Sequence, residues 1–212
     1  MPLYDLTTRK TKDTAGDLQL EDFNDTIRES LKKYSRARPR TLVADVAGDG
    51  SHDYPLPAGW SNGLSALQSI EFPIGSLPET YIDNDGIKLY QAPGGVKIRL
   101  YDFTPAVGET IRVTFTGLHD ETSLPDADIE AVANMAASLC CRQLALRYAG
   151  SSDSTIGADV VNYRSKGDEF ARRAKELEKL FRDAIGIREN DTTPAAMATV
   201  AAPDSRRRLT HG

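Results

Sequence analysis

The chain has 212 residues, of which 40% are hydrophobic, enough to core one moderate domain with an appended subdomain. Its net charge of −5 leaves no overall electrostatic footprint for nucleic acid, although an acidic average can conceal local basic patches. The only cysteines, Cys140 and Cys141, are adjacent in one predicted helix and diverge too far to bridge; with no disulfide or metal spacing and no apolar signal core, the sequence predicts synthesis in a reducing cytoplasm.

Residues 1–16 are polar and lack periodicity, so they are expected to form a flexible arm. Leu20, Phe23, Ile27, Leu31 and Tyr34 then recur at helical spacing, predicting a helix over about 20–38 that Pro39 ends. Its acids come early and its bases late, which suits the helix dipole. Lys32, Lys33, Arg36, Arg38 and Arg40 therefore read either as a solvated face or as a surface for a polyanion.

From Arg40 the period shifts to two. Strands are expected at 41–46, 54–56, 66–72, 80–83, 87–90, 96–101 and 110–116, punctuated by Gly, Pro and Asn-Asp-Gly turns, giving a small antiparallel β subdomain over 40–117. Val96, Ile98 and Leu100, then Ile111, Val113 and Phe115, alternate with polar residues, so one face is packed and the other wet. Trp60, at a strand-to-loop transition, reads as a core plug.

The stretch Asp126–Gly150 predicts a second helix, over 126–149, with Asp126 as its N-cap. Only a narrow stripe, Glu130, Asn134, Ser138 and Arg142, is polar. Its uncharged run is too short to span a membrane, so the wide apolar surface predicts cover from other helices and from a neighbouring subunit. A third helix is expected over 159–185. In it Tyr163, Gly167, Phe170, Ala174, Leu177, Phe181 and Ala184 form a seam against the first two helices, and Arg164, Lys166, Arg172 and Arg173 add a second group of bases. Residues 187–212, with Arg206, Arg207 and Arg208, read as a disordered tail.

No catalytic, cofactor-binding or metal-binding residues are indicated. The histidines at 52, 119 and 211 have no ligand-spaced partners, and Asp49, Asp53, Asp83 and Asp85 lack the spacing of a calcium loop. No nucleophile elbow or phosphate loop is present, and mid-helix thiols are poor nucleophiles.

Several stretches, taken in order, resemble the head-to-tail adaptor (head completion, connector) proteins of tailed bacteriophages. They are YSRARPR from Tyr34, DVAGDGSHDYPLPAGW, IEFPIG from Ile70, LYQAPGGVKIRLYDFTPAVGETIRVTFTGLH, LPDADIEAVANMAASLCC and DSTIGADVVNYRSKGDEFARRAKEL. The resemblance covers roughly Leu20 to Ile185. It implies an α+β fold, a three-helix adaptor-type bundle with the antiparallel β subdomain inserted between its first and second helices. It also implies a non-enzymatic virion subunit, made in the host cytoplasm, forming a dodecameric ring under the portal protein and above a downstream neck or tail protein. Packaged double-stranded DNA would pass through the lumen without sequence readout, no membrane would be involved, and the Arg206–Arg208 tail would dock on the portal. The rival from the residues alone is a small β-domain module that binds protein or nucleic acid outside any virion ring.

Overall fold

The computed structural model describes the backbone of residues 2–150 and 157–187 and the side chains of 3–150 and 166–187. These fall into two compact units, a helical one from residues up to 40 and from 118 onward, and a β unit from 41–117. The fold class is α+β as expected, helices with an antiparallel β insertion.

In the helical unit α2 spans Leu20–Ala37 and buries Phe23, Ile27, Leu31 and Tyr34, the predicted stripe. The Asp22 carboxylate accepts the Gln19 amide at 2.8 Å, satisfying a donor that the first helical turn leaves free. At the other end Arg38 N–H returns to the Tyr34 carbonyl at 2.8 Å, just ahead of Pro39.

α3 spans Ile129–Gly150 and is buried almost all round from Ala131 to Cys141. Asp126 is not its N-cap. Asp126–Asp128 form a single 3₁₀ turn, in which Asp128 N–H bonds the Pro125 carbonyl. Asp128 turns inward because its carboxylate takes the Tyr34 hydroxyl at 2.6 Å and the Arg38 guanidinium at 2.9 and 3.0 Å.

The predicted polar stripe of α3 is exposed at Glu130 and Arg142 and buried at Asn134 and Ser138. Ser138 donates to the Ala174 carbonyl at 2.7 Å and Arg142 pairs with Glu178, both on the following helix, while Glu130 pairs with Lys10. Asn134 is buried, and its Oδ1 has no donor among the described residues.

The arm expected to be without structure is a helix, α1, over Pro2–Thr11. Leu3, 2% exposed, joins Ile27, Leu31, Met135 and Phe181 in one core, and Tyr4 meets Phe23 edge to face at 5.6 Å. Thr7 and Thr11 are buried, with hydroxyls donating to the carbonyls of Leu3 and Thr7. Polar side chains that satisfy themselves on their own helix can be buried without forming an apolar stripe, so the hydropathy pattern did not show this helix. α1 thus supplies cover for α3 that the sequence assigned to a neighbouring subunit.

α4 spans Gly157–Ile185. Of its predicted seam Gly167, Ala174, Leu177 and Phe181 are buried and Phe170 is half-buried, the Tyr163 side chain lies outside the described residues, and the seam ends at Ile185 instead of Ala184, which is exposed. A Cβ on Gly167 would come within 3.4 Å of the Ala145 carbonyl, so glycine lets α4 approach α3 closely. Gly186 takes φ +78°, and Ile187 N–H reaches back to the Arg182 carbonyl at 3.0 Å, closing the helix in a Schellman turn.

The β unit has two three-stranded sheets. Strands β1 (Arg40–Ala47), β6 (Thr110–Gly117) and β3 (Leu67–Glu71) lie in the order β1-β6-β3; β2 (Asp53–Pro55), β5 (Gly95–Leu100) and β4 (Ile87–Ala92) lie in the order β2-β5-β4. Tyr54, Ile70, Ile98, Leu100, Ile111, Val113 and Phe115 form one core between them, matching the predicted alternation. The strand expected at 80–83 is reduced to one bridge, Tyr81 to Glu71. Trp60 stacks on Phe115 with centroids 5.7 Å apart, the plug the sequence predicted.

Candidate interaction surfaces

The predicted basic surface divides into committed and available groups. Arg38 is held by Asp128 and Arg40 by Asp120 at 3.3 Å, so these two stabilise the end of α2. Lys32 and Arg36 are exposed and Lys33 half-buried, and none makes an ion pair among the described residues. On α4, Lys166 lies 5.5 Å from the Tyr148 ring centroid, Arg172 is exposed and Arg173 half-buried. The Arg164 side chain and the whole of Arg206, Arg207 and Arg208 lie outside the described residues.

Burial sets the chemistry of the deep polar groups. The Tyr34 hydroxyl is pushed up to about 12, first by burial and then by its bond to the Asp128 carboxylate. Tyr148 also rises to about 12, chiefly because it donates to the Asp17 carboxylate at 2.6 Å. Burial raises both thiols, Cys141 to about 12, so they are inert packing groups. Asp49 accepts the Ser51 amide and Asp53 is held by Arg99 at 2.6 and 2.7 Å, which makes both turn and strand anchors. Among the described residues no group of His, Cys, Asp and Glu is arranged to hold a metal, and no helix is long and apolar enough to cross a membrane.

A feature the sequence did not reveal is a groove of about 770 Å³ in the helical unit. One wall is a face of α2 carrying Asn24, Ile27, Arg28, Leu31 and Lys32, at the i, i+3, i+4, i+7, i+8 spacing of a helix surface. The other is the loop from Leu118 to Leu124, and Leu3 and Ile129 complete the floor.

The loop is stiff. The Asp120 carboxylate accepts the Thr122 hydroxyl at 2.6 Å and the amides of Thr122 and Ser123, bonds that hold it down to about 2. His119 N–H donates to Ser35 Oγ at 2.8 Å, its Nδ1 bonds the Ser123 carbonyl at 3.0 Å, and its ring meets Tyr34 edge to face. The Asp-Glu-Thr-Ser run was the available signal, since Asp followed by Thr and Ser closes such turns.

No family model and no curated protein matches the chain. Among solved structures it is similar to chains of gene transfer agent (GTA) particles. A chain from the neck of the empty particle, computed with C6 symmetry, is 16% identical, with 65% of this chain and 76% of that one covered and a TM-score of 0.32. A chain of the native GTA virion is 14% identical, with 78% and 88% covered and a TM-score of 0.32. One from the native neck, computed with C12 symmetry, is also 14% identical, with 78% and 90% covered and a TM-score of 0.31.

In the β unit two loops present fully exposed aliphatic tips. Leu77, 96% exposed, tops a turn in which Gly75 N–H bonds the Glu71 carboxylate at 2.8 Å. Val107, 83% exposed, tops a loop fixed by Gly48 and Gly50 amides to the Glu109 and Pro105 carbonyls. A Cβ on Gly48 would stand 2.5 Å from the Ala106 carbonyl oxygen, so only glycine fits there.

Proposed function

We propose that the chain is a structural subunit of the neck of a phage-like particle, without a catalytic step. In this reading it forms a dodecameric ring beneath the portal, joins the DNA-filled head to the tail, and lets double-stranded DNA pass through the lumen. The observation that supports it most is the order of elements: a helix, an antiparallel β unit and two further helices follow one another in the same sequence as the adaptor-like motifs of residues 20–185. The exposed bases Lys32, Arg36 and Arg172, with half-buried Lys33 and Arg173, are the groups for a sparse basic lining, and Lys166 and Arg164 extend it along α4. Such a lining suits a conduit, since a dense one would hold DNA by counterion release. Arg206, Arg207 and Arg208 are the proposed contact to the portal.

The test combines the full chain with its cognate portal protein, followed by mass measurement and negative-stain microscopy. Portal particles crowned by a symmetric ring with an axial hole are expected. Duplex binding by the chain alone should be weak, indifferent to sequence and lost at moderate salt. Tight, salt-resistant or sequence-specific binding without ring formation would favour a β-domain binding module instead.

A further inference from the structure

The connections 48–52, 72–86 and 101–109 gather at one end of the β unit. Asp53 stands opposite Arg99, Ile87 opposite Leu100 and Glu71 opposite Arg112, and the Gly48 N–H bonds the Glu109 carbonyl at 2.8 Å. The chain enters β1 and leaves β6 at the other end. The gathered end carries Asp49, Glu79, Asp83, Asp85, Asp102 and Glu109, all exposed and none in an ion pair among the described residues. Its three connections contain no Lys or Arg. Among these acids stand Leu77, 96% exposed, Val107, 83% exposed, and the half-exposed rings of Tyr81 and Tyr101. Apolar groups left in water amid uncompensated negative charge suit a partner that is basic and partly apolar.

Leu77 stands out furthest, and its loop is stiff. The Phe72 N–H bonds the Thr80 carbonyl at 2.9 Å across the loop base, the Gly75 N–H bonds the Glu71 carboxylate, and the Phe72 ring stacks on Phe103 at 4.9 Å. A tip already held in one shape loses little entropy when it is covered.

The complementary surface lies on the helical unit. In the groove between α2 and the Leu118–Leu124 loop, Ile27, Leu31 and Leu124 form a buried floor and Leu118 and Ile129 stay half-exposed, so apolar surface remains to be covered. At about 770 Å³ it falls within the roughly 300–1,000 Å³ of sites that enclose a compact ligand. Arg28, Lys32 and Arg36 fall at i, i+4 and i+8, a basic ridge along the α2 wall. Lys32 and Arg36 make no ion pair among the described residues, and Arg28 meets Asp25 with side chains 68% and 71% exposed, a pair that neutralises it weakly. Glu121 on the opposite wall is acidic, so charge fixes the direction of entry, with an incoming acid turned towards the ridge.

We propose that the acidic, apolar-tipped end of one copy docks in the α2 groove of a second copy, with Leu77 on the Ile27, Leu31 and Leu124 floor and Glu79 against Lys32 and Arg36. Tip and groove are different patches, so the contact is head to tail: a copy docked through its tip keeps its groove for the next, and the series makes a ring when its rotation closes. The inference deepens the ring reading of the neck subunit, and rests on its self-association but on neither portal nor DNA.

Two full-length chains of different mass test it, one carrying Leu77→Cys and the other Asn24→Cys on the groove wall. Cys140 and Cys141 are fully buried, so a short bis-maleimide reacts at the new thiols. The mixed product of the two chains should exceed about ten-fold that obtained with Leu146→Cys, an exposed site on α3, in place of Asn24→Cys. Lys32→Glu with Arg36→Glu in the second chain should lower the yield about ten-fold, and adding Glu79→Lys to the first should recover most of it. A yield no higher than the Leu146→Cys control, a yield indifferent to the charge reversal, or no recovery on the swap would each overturn the contact. A tip whose partner is another protein or a cation gives the first of these. Portal particles crowned by a ring in the absence of this crosslink would leave the neck reading standing on another face, whereas the crosslink without such rings would leave the contact standing and overturn that reading.

Discussion

The helical unit and the β unit solve opposite problems. In the first, a helix apolar on nearly every side of its first half is covered by the other helices of its own chain: α1, α2 and α4 all pack on α3, and small residues such as Ala133, Ala136 and Ala137 let them come close. In the second, a modest core of paired strands carries stiff loops whose tips, Leu77 and Val107, stand in solvent. Its charges are tied across strands, Arg112 to Asp45 at 2.8 Å and Arg99 to Asp53, with Arg99 also stacked over Tyr90 at 3.4 Å. The contrast teaches that wide apolarity in a sequence does not by itself mean an intersubunit face. Over Ala131–Cys141 of α3 it is used up within the chain, whereas Leu146 near the end of that helix and the loop tips Leu77 and Val107 of the β unit stand in solvent.

Substitutions should separate the two units sharply. Leu144→Ala, at a fully buried site of α3, should cost about 2–5 kcal/mol by chemical denaturation, while Leu77→Ser should change stability by less than about 0.5 kcal/mol. A comparable loss at both would erase the distinction. Leu3→Asp should also cost several kcal/mol, about 3, because it sets a charge in the core that α1 closes; a neutral result would mean α1 is not part of that core.

The next effect is a pH dependence. The phenols of Tyr34 and Tyr148 stand near 12 in the folded chain against an ordinary 10.0, so folding favours their neutral forms. Their contribution is complete below pH 10 and is lost as pH rises from 10 to 12. Denaturation midpoints should fall across that window, and Tyr34→Phe with Tyr148→Phe should flatten the fall.

Smaller still is a predicted gain. The Asn134 Oδ1 is buried without a donor among the described residues, so Asn134→Leu should raise stability by about 1 kcal/mol; a loss would mean that the amide is satisfied. Arg112→Ala should cost less than about 1 kcal/mol, since both partners of its pair with Asp45 are well exposed.

Periodicity made three of the helices and most strands legible, because α2, α4, β5 and β6 each bury one regular face. It could not show α1, whose buried Thr7 and Thr11 are paired to backbone, nor the reason Asp128 points inward, which depends on Tyr34 and Arg38 some 90 residues earlier. For the same reason Arg38 and Arg40 could not be separated from Lys32, Lys33 and Arg36 by sequence: the acids that occupy them, Asp128 and Asp120, arrive from across the β insertion. The groove was hidden because its walls come from a helix and a loop on opposite sides of that insertion.

The enclosure of α3 by its own chain is tested most directly by hydrogen exchange over a dilution series that spans any self-association. The account predicts that amides from Ala131 to Leu144 are equally protected at every concentration, with α1 protected alongside them. Protection of α3 that appears only where the chain associates would contradict it and return that surface to a neighbouring subunit.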